Sequence, residues 1–91
     1  MSYSIIKYVR NYNPISYNLR DDLEIIQTHS NYKKALENFD KIVSKYIDTM
    51  RSNGFSICPE PYMFSNDIVV YIAYTYGIVK FILTDDYMKY I

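Results

Sequence analysis

The chain has one cysteine, one histidine and two glycines among 91 residues, and each scarcity removes a class of chemistry. With Cys58 alone, no intramolecular disulfide can form, which fits a reducing compartment. A single histidine and a single cysteine, with scattered acidic residues, supply no familiar metal-ligand spacing. Gly54 and Gly77 lie 23 residues apart and each has a turn to explain it, so no phosphate-cradling loop can be assembled from them. Charge of one sign is missing too. Ten basic and ten acidic residues cancel, which gives neither the basic excess of a phosphate-backbone binder nor the acidic excess of a DNA mimic.

Long hydrophobic runs are also absent. The N-terminus MSYSIIKYVRNY lacks the apolar segment and small-residue cleavage site of a signal peptide. The most apolar stretch, Ile68 to Leu83, is shorter than about 18 residues, contains Lys80 and three tyrosines, and has a glycine where a turn belongs. It reads as strands, not a membrane span. The expected location is a cytoplasm, with no membrane partner.

What is abundant is isoleucine and tyrosine. Phe, Tyr, Met, Ile, Asn and Lys make up 47 of the 91 residues, whereas Gly, Ala, Arg and Pro make up 10. The first set has AT-rich codons and the second GC-rich ones, so the sequence points to an AT-biased genome such as those of many viruses and phages. Tyrosine enriched by mutation pressure need not have been selected for binding.

The densest structural signal lies in DIVVYIAYTYGIVKFILTDD, from Asp67 to Asp86, where two β-branched and aromatic runs meet at Tyr76-Gly77. Glycine at the second position of a tight turn predicts a β-hairpin in which Tyr74 faces Val79, Ile72 faces Phe81 and Val70 faces Leu83. Alternation then sorts the side chains. One face carries Ile68, Val70, Ile72, Tyr74, Val79, Phe81 and Leu83 and must be core. The other carries Val69, Tyr71, Ala73, Thr75, Ile78, Lys80, Ile82 and Thr84, more apolar than a solvated antiparallel sheet requires.

Ser30 to Asn53 reads as the one long helix, with Ser30 as N-cap and Gly54 ending it. Tyr32, Ala35, Leu36, Phe39, Ile42, Val43, Tyr46, Ile47 and Met50 form a continuous stripe at three- and four-residue spacings. Tyr3 to Arg10 has strand propensity and stops before Asn11-Tyr12-Asn13-Pro14, a turn signal. Ile15 to Leu19 reads as a short strand or extended loop, Arg20-Asp21-Asp22 as a polar break, and Leu23 to Thr28 as another strand. In FSICPEPYMF, from Phe55 to Phe64, Pro59 and Pro61 limit the segment to an edge strand or a connection. Thr84-Asp85-Asp86 begins a short terminal helix that could cover the second sheet face. Residues 1–91 are therefore expected to form a single α+β domain, a two-layer sandwich of an antiparallel sheet of about four strands with one long amphipathic helix on one face.

No motif names a reaction. A thiolate–imidazole pair of Cys58 with His29 would require a strand to return Cys58 beside the helix start, and a lone cysteine next to Ile57 is more simply a small hydrophobe. Asp21-Asp22 and Asp85-Asp86 fall where turns and helix starts favour aspartate. The sequence thus fits a non-enzymatic protein without cofactor or metal that works by contact: a virus- or phage-encoded accessory protein binding a host defence protein, or itself as a homodimer. The expected contact residues are Tyr71, Ile78, Lys80 and Ile82 on the second sheet face, with Tyr87 and Tyr90 at the C-terminus. The alternative is single-stranded nucleic acid stacked on an aromatic sheet face built from Tyr71, Tyr74, Tyr76 and Phe81 with Lys80. Tyr74 and Phe81 belong to the core face, however, and the chain has no net positive charge.

Overall fold

A computed structural model describes residues 2–13 and 18–91. It contains one antiparallel sheet and one α-helix: β1 (Tyr3–Asn13), β2 (Asn18–His29), α1 (Tyr32–Ser52), β3 (Cys58–Phe64), β4 (Asp67–Tyr74) and β5 (Gly77–Thr84), then a 3-10 turn at Tyr87–Tyr90. The sheet has five strands in the order β2-β1-β5-β4-β3, one more than expected. The extra strand is the proline-bearing segment. Cys58 to Phe64 pairs with β4 throughout, with Pro59 opposite Ile72 and Pro61 opposite Val70. Since proline has no N–H, both residues must turn their backbone nitrogens away from β4, and the outer edge of the sheet loses two donors there.

The polar break expected at Arg20-Asp21-Asp22 is absent. These residues lie inside β2, which pairs with β1 from Asn18 to His29 and has one bulge, at Ile26, where the register shifts between Ile5 and Ile6. Pairing overrides the local signal because Asp21 meets Arg10 directly across the ladder. β1 likewise continues to Asn13, past the expected stop. The strand or loop expected over Ile15 to Leu19 falls partly outside the described residues.

In the β4–β5 hairpin the turn is Thr75-Tyr76, and Tyr74 faces Gly77, Ile72 faces Val79, Val70 faces Phe81 and Ile68 faces Leu83. This register differs by two residues from the one the sequence suggests. An even shift leaves every side chain on its expected face. Gly77 explains the change: it opens β5 at φ 151° opposite Asn11, and a Cβ there would stand 2.0 Å from the Arg10 carbonyl oxygen. Close approach of β1, not turn geometry, demands this glycine.

The helix begins one residue later than expected. Asn31 is the N-cap, accepting the Lys34 N–H on its side-chain oxygen at 3.1 Å. At the other end the Gly54 N–H donates to the Arg51 carbonyl and the Phe55 N–H to the Met50 carbonyl, with Gly54 at φ 87°. That is a Schellman stop with glycine at the left-handed position. Ala35, Phe39, Val43 and Met50 are buried in one cluster with Ile5, Val70, Ile72, Val79, Phe81 and Leu83, so the helical stripe meets the sheet face expected to be core. Tyr46 packs edge-on against Phe81 with ring centroids 5.1 Å apart. Tyr32 stays exposed against the Tyr3 ring. Among the described residues, no helix is long and apolar enough to cross a membrane.

The two glycines should respond differently to a methyl group. Gly77→Ala drives its Cβ into backbone and is expected to cost about 3 kcal/mol or more. Gly54→Ala meets nothing within 4 Å and should cost only the left-handed penalty, about 1 kcal/mol. Urea denaturation midpoints of the two variants measure the difference.

Candidate interaction surface

Strand pairing lays two side-chain rows across the sheet face opposite the helix. Leu23, Tyr8, Lys80, Tyr71 and Glu60 are successive neighbours from β2 to β3, and so are Ile25, Ile6, Ile82, Val69 and Tyr62. In the first row Lys80 extends between two rings, its ammonium 5.7 Å from the Tyr8 centroid and 5.9 Å from that of Tyr71. The cation is held by aromatic faces instead of a carboxylate. In the second row Ile6, Val69 and Ile82 are buried together, with Tyr90 packed on them.

Tyr90 comes from the terminal 3-10 turn, which is tied down through Asp67 at the start of β4. The Tyr90 hydroxyl donates to Oδ2 of Asp67, and the Lys89 ammonium lies 2.9 Å from the same oxygen. Asp67 has no solvent exposure. Burial acts to raise its pKa, but the bonds from Tyr90, Lys89 and Thr84 together with the Lys89 charge outweigh it and hold the carboxyl below its ordinary value. The partners answer in kind. Burial and the bond to Asp67 push the Tyr90 phenol up, and the bond to Asp67 raises Lys89. One atom is left over: Oδ1 of Asp67 is buried without a hydrogen-bond partner among the described residues. An unsatisfied buried acceptor costs about 1 to 3 kcal/mol.

The cap is small relative to the face. Two cavities flank it, one of about 180 Å³ lined by Tyr62, Phe64, Val69, Lys80, Ile82 and Tyr90, the other of about 290 Å³ lined by Tyr8, Leu23, Lys80, Ile82, Lys89 and Tyr90. At their margins Leu23, Ile25, Tyr62 and Phe64 remain 39%, 40%, 43% and 60% exposed, and the C-terminal end presents Tyr87, Met88 and Ile91 to solvent.

Of the expected contact residues, Tyr71, Ile78 and Lys80 are half-buried on this face and Tyr87 is exposed. Tyr90 is half-buried as the cap. Ile82 is corrected from surface to floor, since it is 4% exposed beneath Tyr90 and offers nothing to a partner while the cap is in place. Leu23, Ile25, Tyr62 and Phe64 were not anticipated. Their alternation within LEI and YMF was readable, but only strand order places both pairs on the same face. Asp67 carried no signal beyond being an acid at a strand start.

The chemistry weighed from sequence does not assemble. His29 ends β2 at one edge of the sheet and Cys58 starts β3 at the other, about 19 Å apart by strand spacing alone. His29 instead lies within hydrogen-bond distance of Gln27 and Asn38. Asp21 forms a two-bond pair with Arg10, at 2.8 and 3.0 Å, which lowers the acid and raises the base. Asp85 and Asp86 are exposed at the opposite end of the sheet. Among the described residues no three His, Cys, Asp or Glu side chains group as metal ligands. As a stacking platform for bases the second face keeps Tyr8 and Tyr71, but Arg10 and Lys89 are already paired with Asp21 and Asp67, which among the described residues leaves Lys80 as its unpaired cation. No known protein family, characterised protein or solved structure matches the chain.

The Asp67 network has a pH signature. Its native carboxyl releases its proton at lower pH than the unfolded one, so between those two values the unfolded chain binds more protons and acid favours unfolding. The contribution is complete above the unfolded value of about 4 and disappears as pH falls through the native value. Asp67→Asn should cost about 1 to 3 kcal/mol at pH 7. The gap from wild type in urea midpoint should narrow steadily below about pH 4.

Proposed function

We propose that this chain is a small non-enzymatic binding protein that acts in a cytoplasm by docking another polypeptide on the second sheet face. In this reading the domain is a two-layer sandwich whose helix layer satisfies one face of the sheet and leaves the other for contact. The observation that carries it is the pair of cross-strand rows, Leu23 to Glu60 and Ile25 to Tyr62, capped over only part of their length by Tyr90. A buried apolar centre, aromatic flanks and a few charged groups at the margin are the composition of an interface core with its rim. The AT-biased residue usage fits an accessory protein of a virus or phage, whose target would be a host protein blocked by direct contact. Nucleic acid draws less support, because two of the three cations that the described residues place on this face, Arg10 and Lys89, are neutralised within the chain.

The test uses the exposed flanks, because a charge at Ile82 would strike the floor. A random peptide library displayed on phage, selected on the immobilised wild-type chain, should yield binders that lose at least tenfold in affinity for the Leu23→Glu/Phe64→Glu double variant. Circular dichroism should show the variant folded. Binders indifferent to that variant, or none at all, sink the reading. Light scattering over a concentration series decides whether a second copy is the occupant: a dimer abolished by the same substitutions identifies it, and a monomer directs the search to a foreign chain.

A further inference from the structure

The contacts that hold the terminal turn are uneven. Tyr90 and Lys89 both donate to Oδ2 of Asp67 and Thr84 adds to the carboxyl's support, while Oδ1, equally buried, has no partner within hydrogen-bonding geometry among the described residues. A carboxylate accepts through both oxygens, and the side chain that serves both at once is arginine, whose planar fork gives two parallel N–H bonds. Lysine is a point donor and cannot do this. Position 89 therefore satisfies the charge of Asp67 but not its geometry.

The cap itself is light. It consists of four residues, the side chain of its N-cap Asp86 makes no capping bond, and Tyr87 and Met88 point to solvent. Tyr90 lines both flanking cavities, as do Lys80 and Ile82, so lifting its ring joins the two into one trough bounded by Tyr62 and Phe64 on one side and by Tyr8 and Leu23 on the other. Asp67 lines neither cavity, but it lies directly behind Tyr90 and Lys89, which do, so lifting the cap also strips the cation from its carboxylate. An occupant without a positive charge would leave Asp67 buried and unpaired, which a purely apolar contact does not repay.

We propose that Lys89 and Tyr90 occupy in cis a docking site whose partner, a segment of another polypeptide, brings an arginine to Asp67 and large apolar side chains to the two cavities. This deepens the reading of the second sheet face as the contact surface and rests on it. The tethered turn competes at high effective concentration, so the site of the resting chain is largely filled and its apparent affinity is reduced by the fraction that is closed.

The probe is a fluorescein-labelled peptide Tyr-Met-Arg-Tyr-Ile, the chain's last five residues with arginine in place of lysine, followed by fluorescence anisotropy on the full-length protein. Lys89→Ala/Tyr90→Ala, which empties the site, should bind it about tenfold more tightly than wild type. Replacing the peptide's arginine with glutamine should lose at least tenfold on the opened variant, with the protein unchanged. Asp67→Asn, introduced into that variant and checked for folding by circular dichroism, should erase the difference between the two peptides. Equal binding of the arginine and glutamine peptides to the opened variant, or no gain on opening, overturns the proposal. If binding persists in that case but falls with Leu23→Glu/Phe64→Glu, the face remains the contact surface and only the role of Asp67 fails.

Discussion

Strand β5 is hydrogen-bonded on both edges, by β1 and β4, and buried on both faces, and the other elements are arranged by that double enclosure. Val79, Phe81 and Leu83 point to the helix, while Ile82 and Thr84 point the other way and are also buried. A strand enclosed in this manner tolerates polar atoms only where they are satisfied. At one end, the close approach of β1 admits only glycine. At the other, Thr84 contributes to the environment of Asp67 and its hydroxyl accepts the Asp86 N–H at 3.0 Å, so the chain leaves the sheet already directed toward the cap.

The two faces are finished by different means. The helix face is sealed chiefly by area: a 21-residue element supplies four buried side chains and several half-buried ones, and dispersion and water exclusion hold it, with the Asn38–His29 contact a minor addition at one end. The opposite face is sealed at one point, by a tyrosine ring whose hydroxyl reaches a buried acid. Area-based packing is forgiving and hard to undo locally. A polar tether is local and can be exchanged for another tether of matching chemistry.

Local pattern was informative wherever the determinant lay within a few residues. The helix stripe, the glycine stop at Gly54 and the face assignments of β4 and β5 all came from spacing, and the assignments survived an incorrect hairpin register because period two forgives a shift of two. What could not be read was set by residues distant in sequence. Gly77 resembles a turn residue until Arg10 is placed beside it, and Arg20-Asp21-Asp22 resembles a break until β1 supplies a partner for Asp21. Ile82 looked available because the residue that seats its cover, Tyr90, is Asp67, 23 positions earlier in the chain. The exposed flanks of this face were missed for the same reason: Leu23 and Phe64 are 41 positions apart, on strands that never touch.

The two prolines of β3 have a consequence for growth of the sheet. Pro59 and Pro61 remove two donors from one outer edge, whereas β2, the other outermost strand, carries no proline and runs for 12 residues. Head-to-tail stacking of copies into a fibril needs two competent edges, one to give and one to receive. With two donors missing, the β3 edge receives a further strand less well than the β2 edge does, which biases edge pairing between copies toward a closed pair through β2 and away from open-ended growth.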